Sequence, residues 1–265
     1  MDGRIDLVEA ELRALSRSVI DRDAGQPFGV YAGSAAEPIA AVGREVERIV
    51  FGQAFDNSPA LLAAEYGRYD EASLFFCVLD HRRGLPAGMM RVIRPSPAGL
   101  KSVHDLERLW GHRAGEALPG TGAPLALDRL WDLATLAVMP EYRGRGTSGL
   151  VSLALYQAVC TSARQCGIEQ FVAIIDMAVF RLLQWQLGRP FSRFSGVQPM
   201  GYLGSLASLP VWCDIAEWSR RVAEVDAATC ELVVEGRGLE PSVKSVDFGA
   251  VVSIAGQRPP LESSL

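Results

Sequence analysis

The sequence is poor in the residues that bind metals or staple small folds. It has three histidines and five cysteines in 265 residues, and no two cysteines form a CxxC pair. No metal-ligand set can be assembled from that inventory, so no metal is expected. Cys77, Cys160, Cys166, Cys213 and Cys230 are odd in number and scattered, and the apolar runs around Cys77 and Cys213 suit small core residues. Free thiols fit a reducing cytoplasm. No apolar run approaches the ~20 residues needed to span a bilayer, and the N-terminus lacks the apolar core of a secretion signal. Neither a membrane partner nor export is expected. A long basic run is also missing, and the formal net charge is −5, which argues against nucleic acid as a partner.

What is present is ample apolar material, 49% of residues, enough for one large domain with appendages. The division expected is an N-terminal helix (1–25), a main domain (26–220) and a C-terminal extension (221–265). Val8, Leu12 and Leu15 lie at helical spacing. That amphipathic helix would pack on the domain or on a partner subunit, the latter giving a homodimer. Strands are expected at 28–32, 74–79 and 87–94, the last two as a hairpin turning at 80–84. Helices are expected at 37–55 and 61–66. Residues 95–124 contain four prolines and suggest a long surface excursion carrying His104 and His112. Strand 130–138, helix 150–165 and strand 171–176 make a βαβ unit, followed by a helix at 178–187 and a strand at 209–215. Apolar patches at 232–234 and 251–254 suggest further edge strands. The fold class is α/β, a mixed sheet with helices on both faces.

The loop Arg143-Gly144-Arg145-Gly146-Thr147-Ser148 joins strand to helix. The first amides of a helix lack intrahelical partners and lie at the positive end of its dipole. Glycines let that backbone approach an anion, and arginines and hydroxyls add contacts. The segment reads as a phosphate seat. It lacks the GK[ST] ending of a nucleotide-triphosphate loop and the GxGxxG pattern of a dinucleotide fold.

From Leu136 to Ser148 the chain resembles the GNAT superfamily of N-acyltransferases, whose pattern is a strand, a proline break and [Q/R]-x-x-G-x-[G/A]. Ser148 stands where the last small residue falls. The resemblance implies a mostly antiparallel central sheet and a βαβ cofactor-binding unit. It also implies an acyl donor linked to coenzyme A or to a phosphopantetheine of an acyl carrier protein. Amides from Gly144 onward, with Arg143, Arg145, Gly146, Thr147 and Ser148, would hold the donor phosphate, and the backbone of Ala137, Val138 and Met139 would pair with the pantetheine arm. From about residue 44 to 216 the chain is also similar to acyl-homoserine lactone synthases and long-chain N-acyl amino acid synthases. Glu65-Tyr66-Gly67-Arg68-Tyr69-Asp70, Gly88 to Ser96 and Trp131-Asp132-Leu133-Ala134-Thr135 carry that similarity. It departs at Gly67, at Ala134-Thr135 and at Arg48, which leaves the acceptor open.

The function expected is N-acyl transfer to the amine of a small, amino-acid-like molecule. The alternatives are a non-catalytic acyl-thioester binder, or a thioester hydrolase or decarboxylase. An arriving ammonium must lose a proton, and a carboxylate suits that task. Asp132 is the candidate base; its other reading is an ion pair with Arg91 on the neighbouring strand. Arg91 would orient the base or an acceptor carboxylate, and an amide near Val138 would meet the thioester oxygen. Gln184 stands where many GNAT enzymes place a tyrosine acid, leaving Tyr156, Tyr202 or solvent for the leaving thiolate. Tyr69 and Asp70 are weaker candidates for an acceptor-side lid. Met89, Met90, Phe75, Phe76 and Trp185 are expected in the core, or else along an acyl pocket. A basic rim of Arg143, Arg145, Arg164 and Arg189 would aid encounter with an acidic carrier.

Overall fold

Continuous apolar strands need cover on both faces, and the sheet meets that need with helices on each side. The computed structural model describes residues 2–21, 23–144 and 149–256, with side chains from residue 9 onward. The strands are β1 (Phe28–Ser34), β2 (Ser73–Asp80), β3 (Leu85–Ile93), β4 (Leu130–Val138), β5 (Gln170–Asp176), β6 (Ser192–Arg193), β7 (Met200–Tyr202), β8 (Ser205–Asp214) and β9 (Val243–Lys244). The helices are α1 (Asp2–Arg17), α2 (Pro38–Phe55), α3 (Pro59–Tyr66), α4 (Lys101–Trp110), α5 (Leu150–Gln165), α6 (Met177–Gln186), α7 (Ile215–Val225), α8 (Ala227–Thr229) and α9 (Phe248–Gly256).

The strands form one sheet in the order β6-β8-β5-β4-β3-β2-β1-β9, with β7 also on β8. Only β4–β5 and β1–β9 are parallel, so the sheet is mixed and mostly antiparallel. Every residue of β2 and β3 is buried. One face packs on α2: the Cys77 thiol reaches the Ile39 carbonyl, and a Cβ on Gly43 would strike the Phe75 ring at 2.7 Å. The other face packs on α5, where a Cβ on Gly88 would meet Val151 at 2.8 Å and the Ala137 carbonyl at 2.9 Å. Glycine at 88 is what lets α5 sit this close to the sheet.

Several expectations need correction. The 232–234 patch is a π-helical turn (Cys230–Val234) and the 251–254 patch lies in α9. Short apolar runs do not distinguish strand from buried helix, and here the helix wins. The edge strand is instead β9, parallel to β1. The segment after residue 220 shares the main core through Val233, Val234, Leu239, Val243 and Val251. The 95–124 excursion also has a buried inner side, with Leu100, Val103, Leu106 and Leu118 in the core. His112 is buried with it, its ring 5.0 Å from that of Phe194.

Candidate functional site

A break in the sheet makes the site. β4 and β5 pair only at Leu130↔Gln170, Trp131↔Phe171 and Asp132↔Val172, after which the two strands part. On its other edge β4 stays paired with β3 to Val138, but Arg91 faces Thr135 while Val92 faces Leu133. Ala134 is therefore an extra residue, a bulge that bends β4 where the gap begins. The Met139 amide donates to the Ala87 carbonyl at 2.9 Å. Hydrogen-bonded and non-hydrogen-bonded pairs alternate along an antiparallel ladder. The amides and carbonyls of Leu136 and Val138 consequently face away from β3, into the gap. The Val138 carbonyl accepts from Arg143 Nε at 2.7 Å.

A cavity of about 180 Å3 runs through the gap. Leu133, Ala134 and Leu136 line one side and Ala173, Ile174 and Ile175 the other. Phe51 and Tyr66 close it on the α2 face, Tyr156 and Val159 on the α5 face. Its lining is mostly apolar and its single charged member is Asp176. Such a space suits an acyl chain or another apolar group.

At the end of β4 the chain turns through Gly144 and Gly149, both in the left-handed region at φ 83° and 77°. The Leu153 amide donates to the Gly149 carbonyl at 3.0 Å in the first turn of α5. The amides of that turn ahead of Leu153 have no intrahelical acceptor among the described residues. Arg143 and Gly144 are exposed here. Arg145, Gly146, Thr147 and Ser148 lie outside the described residues.

Beneath the cavity on the α2 face runs a chain of four alternating charges. Arg44 Nη2 donates to Asp70 Oδ2 at 2.8 Å, and Arg91 Nη1 to Asp70 Oδ1 at 3.2 Å. Arg91 Nη2 then donates to Glu47 Oε2 at 2.6 Å, and Thr135 Oγ1 to Glu47 Oε1 at 2.6 Å. Thr135 lines the cavity, so the chain ends at its wall. Arg91 is 3% exposed and lies between the rings of Tyr66 and Phe75, 4.9 and 4.7 Å from their centroids. Burial raises the Glu47 carboxyl above the usual carboxylate range, and the opposing pull of Arg91 and Thr135 offsets this only in part. The Tyr66 hydroxyl borders the same cavity and makes no hydrogen bond with a described residue.

Asp132 does not meet Arg91. In register it faces Ile93, and Arg91 faces Thr135. Both Asp132 oxygens are taken by Ser102, from its amide and its hydroxyl at 2.6 Å each, which fastens the start of α4 to the sheet. Burial pushes this carboxyl up to about 6, with the Ser102 bonds opposing. The folded state thus holds the proton more tightly than the unfolded chain does. Its contribution is complete below about pH 4 and is lost as pH rises through 6, a difference of about 3 kcal/mol. Asp132→Asn should remove that slope, so urea unfolding of the two proteins from pH 4 to 7 should give converging curves; parallel curves would contradict the assignment.

Other residues are placed as follows. Tyr202 borders the cavity but its hydroxyl donates to Asp105 Oδ2 at 2.7 Å and accepts from Lys101 Nζ at 2.9 Å. Tyr69 bonds His104 Nδ1 at 2.9 Å. Gln184 binds the backbone of Phe191 at both ends of its amide. Tyr156 borders the cavity, its phenol pushed up to about 12 by burial. Met90 is a lining residue; Met89, Phe75 and Phe76 are core. Trp185 is neither core nor lining but 81% exposed, on the outer side of α6. Arg164 bonds the Val234 carbonyl at the far end of α5, about 20 Å from the loop, and is not part of a rim with Arg143.

Glu47 lies in no motif of the sequence, and Tyr66, within the Glu65–Asp70 segment of the resemblance, is given no role there. The one signal for Glu47 was a carboxylate inside the apolar stripe Val42, Val46, Val50 of α2.

A mixed sheet whose parallel β4–β5 pair parts after three residues belongs to a fold with counterparts among solved structures. The FeeM structure, an N-acyl amino acid synthase from uncultured soil microbes, matches with a TM-score of 0.53 at 14% identity, over 74% of this chain and 95% of that one. The fold is GNAT-like. BjaI, a CoA-dependent acyl-homoserine lactone synthase solved with SAM and isopentyl-CoA, is matched with a TM-score of 0.49 at 17% identity, over 86% of this chain and 98% of that one. The acyl-homoserine lactone synthase LasI follows at 0.44 and 16%, over 72% and 91%. The sequence matches no family model and no curated protein.

Proposed function

We propose that the protein is an N-acyltransferase that takes an acyl group from a coenzyme A or carrier-bound thioester and places it on a small amine. The observation that carries this reading is the gap between β4 and β5. It presents the backbone edge of Leu136 and the amide of Val138 beside an apolar cavity, with the first turn of α5 beyond the end of β4. A pantetheine arm has the amides to pair with a strand edge, and its acyl end has the cavity to enter. The fold shared with an N-acyl amino acid synthase supports the same class of reaction. Leu136, Val138, Arg143, Gly144 and the 145–148 segment are the donor-side residues of this proposal; the backbone of Ala137 and Met139, expected from the sequence to join them, turns to β3 instead.

On the acceptor side, Thr135 and Glu47 supply the base in place of Asp132, whose oxygens are occupied. An ammonium at the cavity wall gives a proton to Thr135 Oγ1 as the Thr135 proton passes to Glu47 Oε1. The freed amine attacks the thioester carbon, forming the C–N bond. The C–S bond breaks, and a second nitrogen proton leaves with sulfur as the thiol. The Val138 amide, aimed into the gap, stabilises the oxyanion. Arg91, bonded to Glu47 Oε2, works against burial to favour the ionised form that accepts the proton.

The test is incubation with acyl-CoA and acyl-carrier donors of several lengths and a pool of amines, following thiol release and amide mass. Both should rise together with at least one donor. Tight donor binding without thiol release would overturn the enzyme reading. The cavity makes a separate prediction. Ala173→Phe should slow long acyl donors about tenfold or more while sparing acetyl, since lost pocket space is felt per methylene. An equal loss for all lengths would detach the cavity from acyl binding.

A further inference from the structure

α6 is a ten-residue helix with one charge, Arg181. Its inner face is covered, Phe180 and Leu183 being buried. Its outer face carries large apolar side chains beside the exposed Arg181. Ala178, Leu182 and Trp185 recur at i, i+4 and i+7, and Leu182 and Trp185 are 47% and 81% exposed. Large apolar side chains gathered on the outer side of a helix call for a covering partner. The β7–β8 hairpin extends the patch: Ser205 Oγ donates at 2.7 Å to Asp176 Oδ2, the side chain that caps α6, and the next residue, Leu206, is 94% exposed. Among the described residues nine large apolar side chains are exposed, and five of them (Val179, Leu182, Trp185, Met200 and Leu206) sit on this helix and hairpin. The apolar exposure is therefore concentrated, which marks a contact surface.

The surroundings of the patch are cationic. Arg181, Arg189 and Arg193 are exposed and form no ion pair with a described residue, in a protein whose net charge is −5. That decides between occupants. In a twofold dimer the patch would meet itself, setting three unpaired arginines against their own copies. An anionic bilayer fits both features. Trp185, Leu182 and Leu206 would enter the headgroup boundary, where tryptophan is favoured, and the arginines would meet lipid phosphates. The cavity is continuous with this surface, since Val179, Leu203 and Ser205 also line it. We infer that the outer face of α6 with the β7–β8 hairpin docks the protein on an anionic lipid surface, with the cavity opening toward the membrane. This runs against the sequence expectation of no membrane partner, which rested on the lack of a spanning segment and on reading the N-terminal helix as packed on protein.

The experiment is sedimentation of the full chain with phosphatidylcholine vesicles, and with vesicles one-quarter phosphatidylglycerol, at low and at physiological salt. Binding should favour the anionic vesicles by about tenfold or more and weaken with salt. Leu182→Ser with Trp185→Ser should lose about tenfold, and Arg181→Glu with Arg193→Glu about the same. Val225→Ser, an exposed apolar change on α7, is the control and should bind as the parent does. All variants are surface changes, and circular dichroism confirms their folding. No vesicle binding by the folded parent, equal binding by every variant, a concentration-dependent dimer that Trp185→Ser abolishes, or capture of an acidic carrier protein by this face in place of vesicles would overturn the inference.

Discussion

Glu47→Gln is expected to slow amide formation by about 10²–10⁴-fold, the range for losing a positioned base, with donor binding unchanged. The glutamine still fits between Arg91 and Thr135, but its amide nitrogen cannot accept the Thr135 proton. Thr135→Val should fall as far, because it cuts the path from cavity to carboxylate, and Thr135→Ser should restore most of the rate. The parent rate should rise with pH through a midpoint above the usual carboxylate range, since burial raises Glu47 and only its ionised form accepts a proton. Glu47→Gln should lack that limb. A Glu47→Gln protein with an intact rate and an unchanged profile would place the base elsewhere.

The second large effect is on stability. Arg91→Met leaves Glu47 in the core with only Thr135 to answer it, and breaking a buried pair from one side costs about 3–5 kcal/mol. In a chain of this size that lowers the melting temperature by about 10 °C. Replacing both partners, Arg91→Met with Glu47→Leu, should recover much of the loss, because two apolar groups of similar volume carry no desolvation cost. Thermal unfolding of the two single variants and the double variant measures the coupling. Additive losses would show that Arg91 and Glu47 do not interact as a pair.

The long elements were legible from periodicity. The β2–β3 hairpin, β4, α5 and β5 lie where apolar spacing and turn residues put them, and the glycine loop announced its place between strand and helix. What periodicity does not encode is which carboxylate meets which arginine. Arg91 keeps the register of the strand end and faces Thr135, while the Ala134 bulge shifts Ile93 onto Asp132; Arg91 then pairs across to Glu47 on α2, and Asp132 is held by Ser102. A bulge of one residue leaves no mark in a strand of leucines and alanines. Glu47 went unnoticed for a related reason: a single carboxylate on a helix is ordinarily solvated, and only the fold shows that this one is enclosed. The C-terminal patches misled because four apolar residues satisfy a strand or a helix turn equally well. Trp185 was misplaced by the rule that large apolar residues are inside, which fails where a surface has a partner to meet.

The central claim is that an acyl thioester enters the sheet between β4 and β5. A crystal structure with a thioether analogue of a medium-chain acyl-CoA tests it most directly. The pantetheine amides are expected to pair with the backbone of Leu136, the thioester oxygen position to lie at the Val138 amide, the acyl chain to lie against Ala134 and Ala173, and the phosphates to lie at the start of α5. An analogue bound at another surface, or a gap still closed by protein atoms with ligand bound, would contradict it.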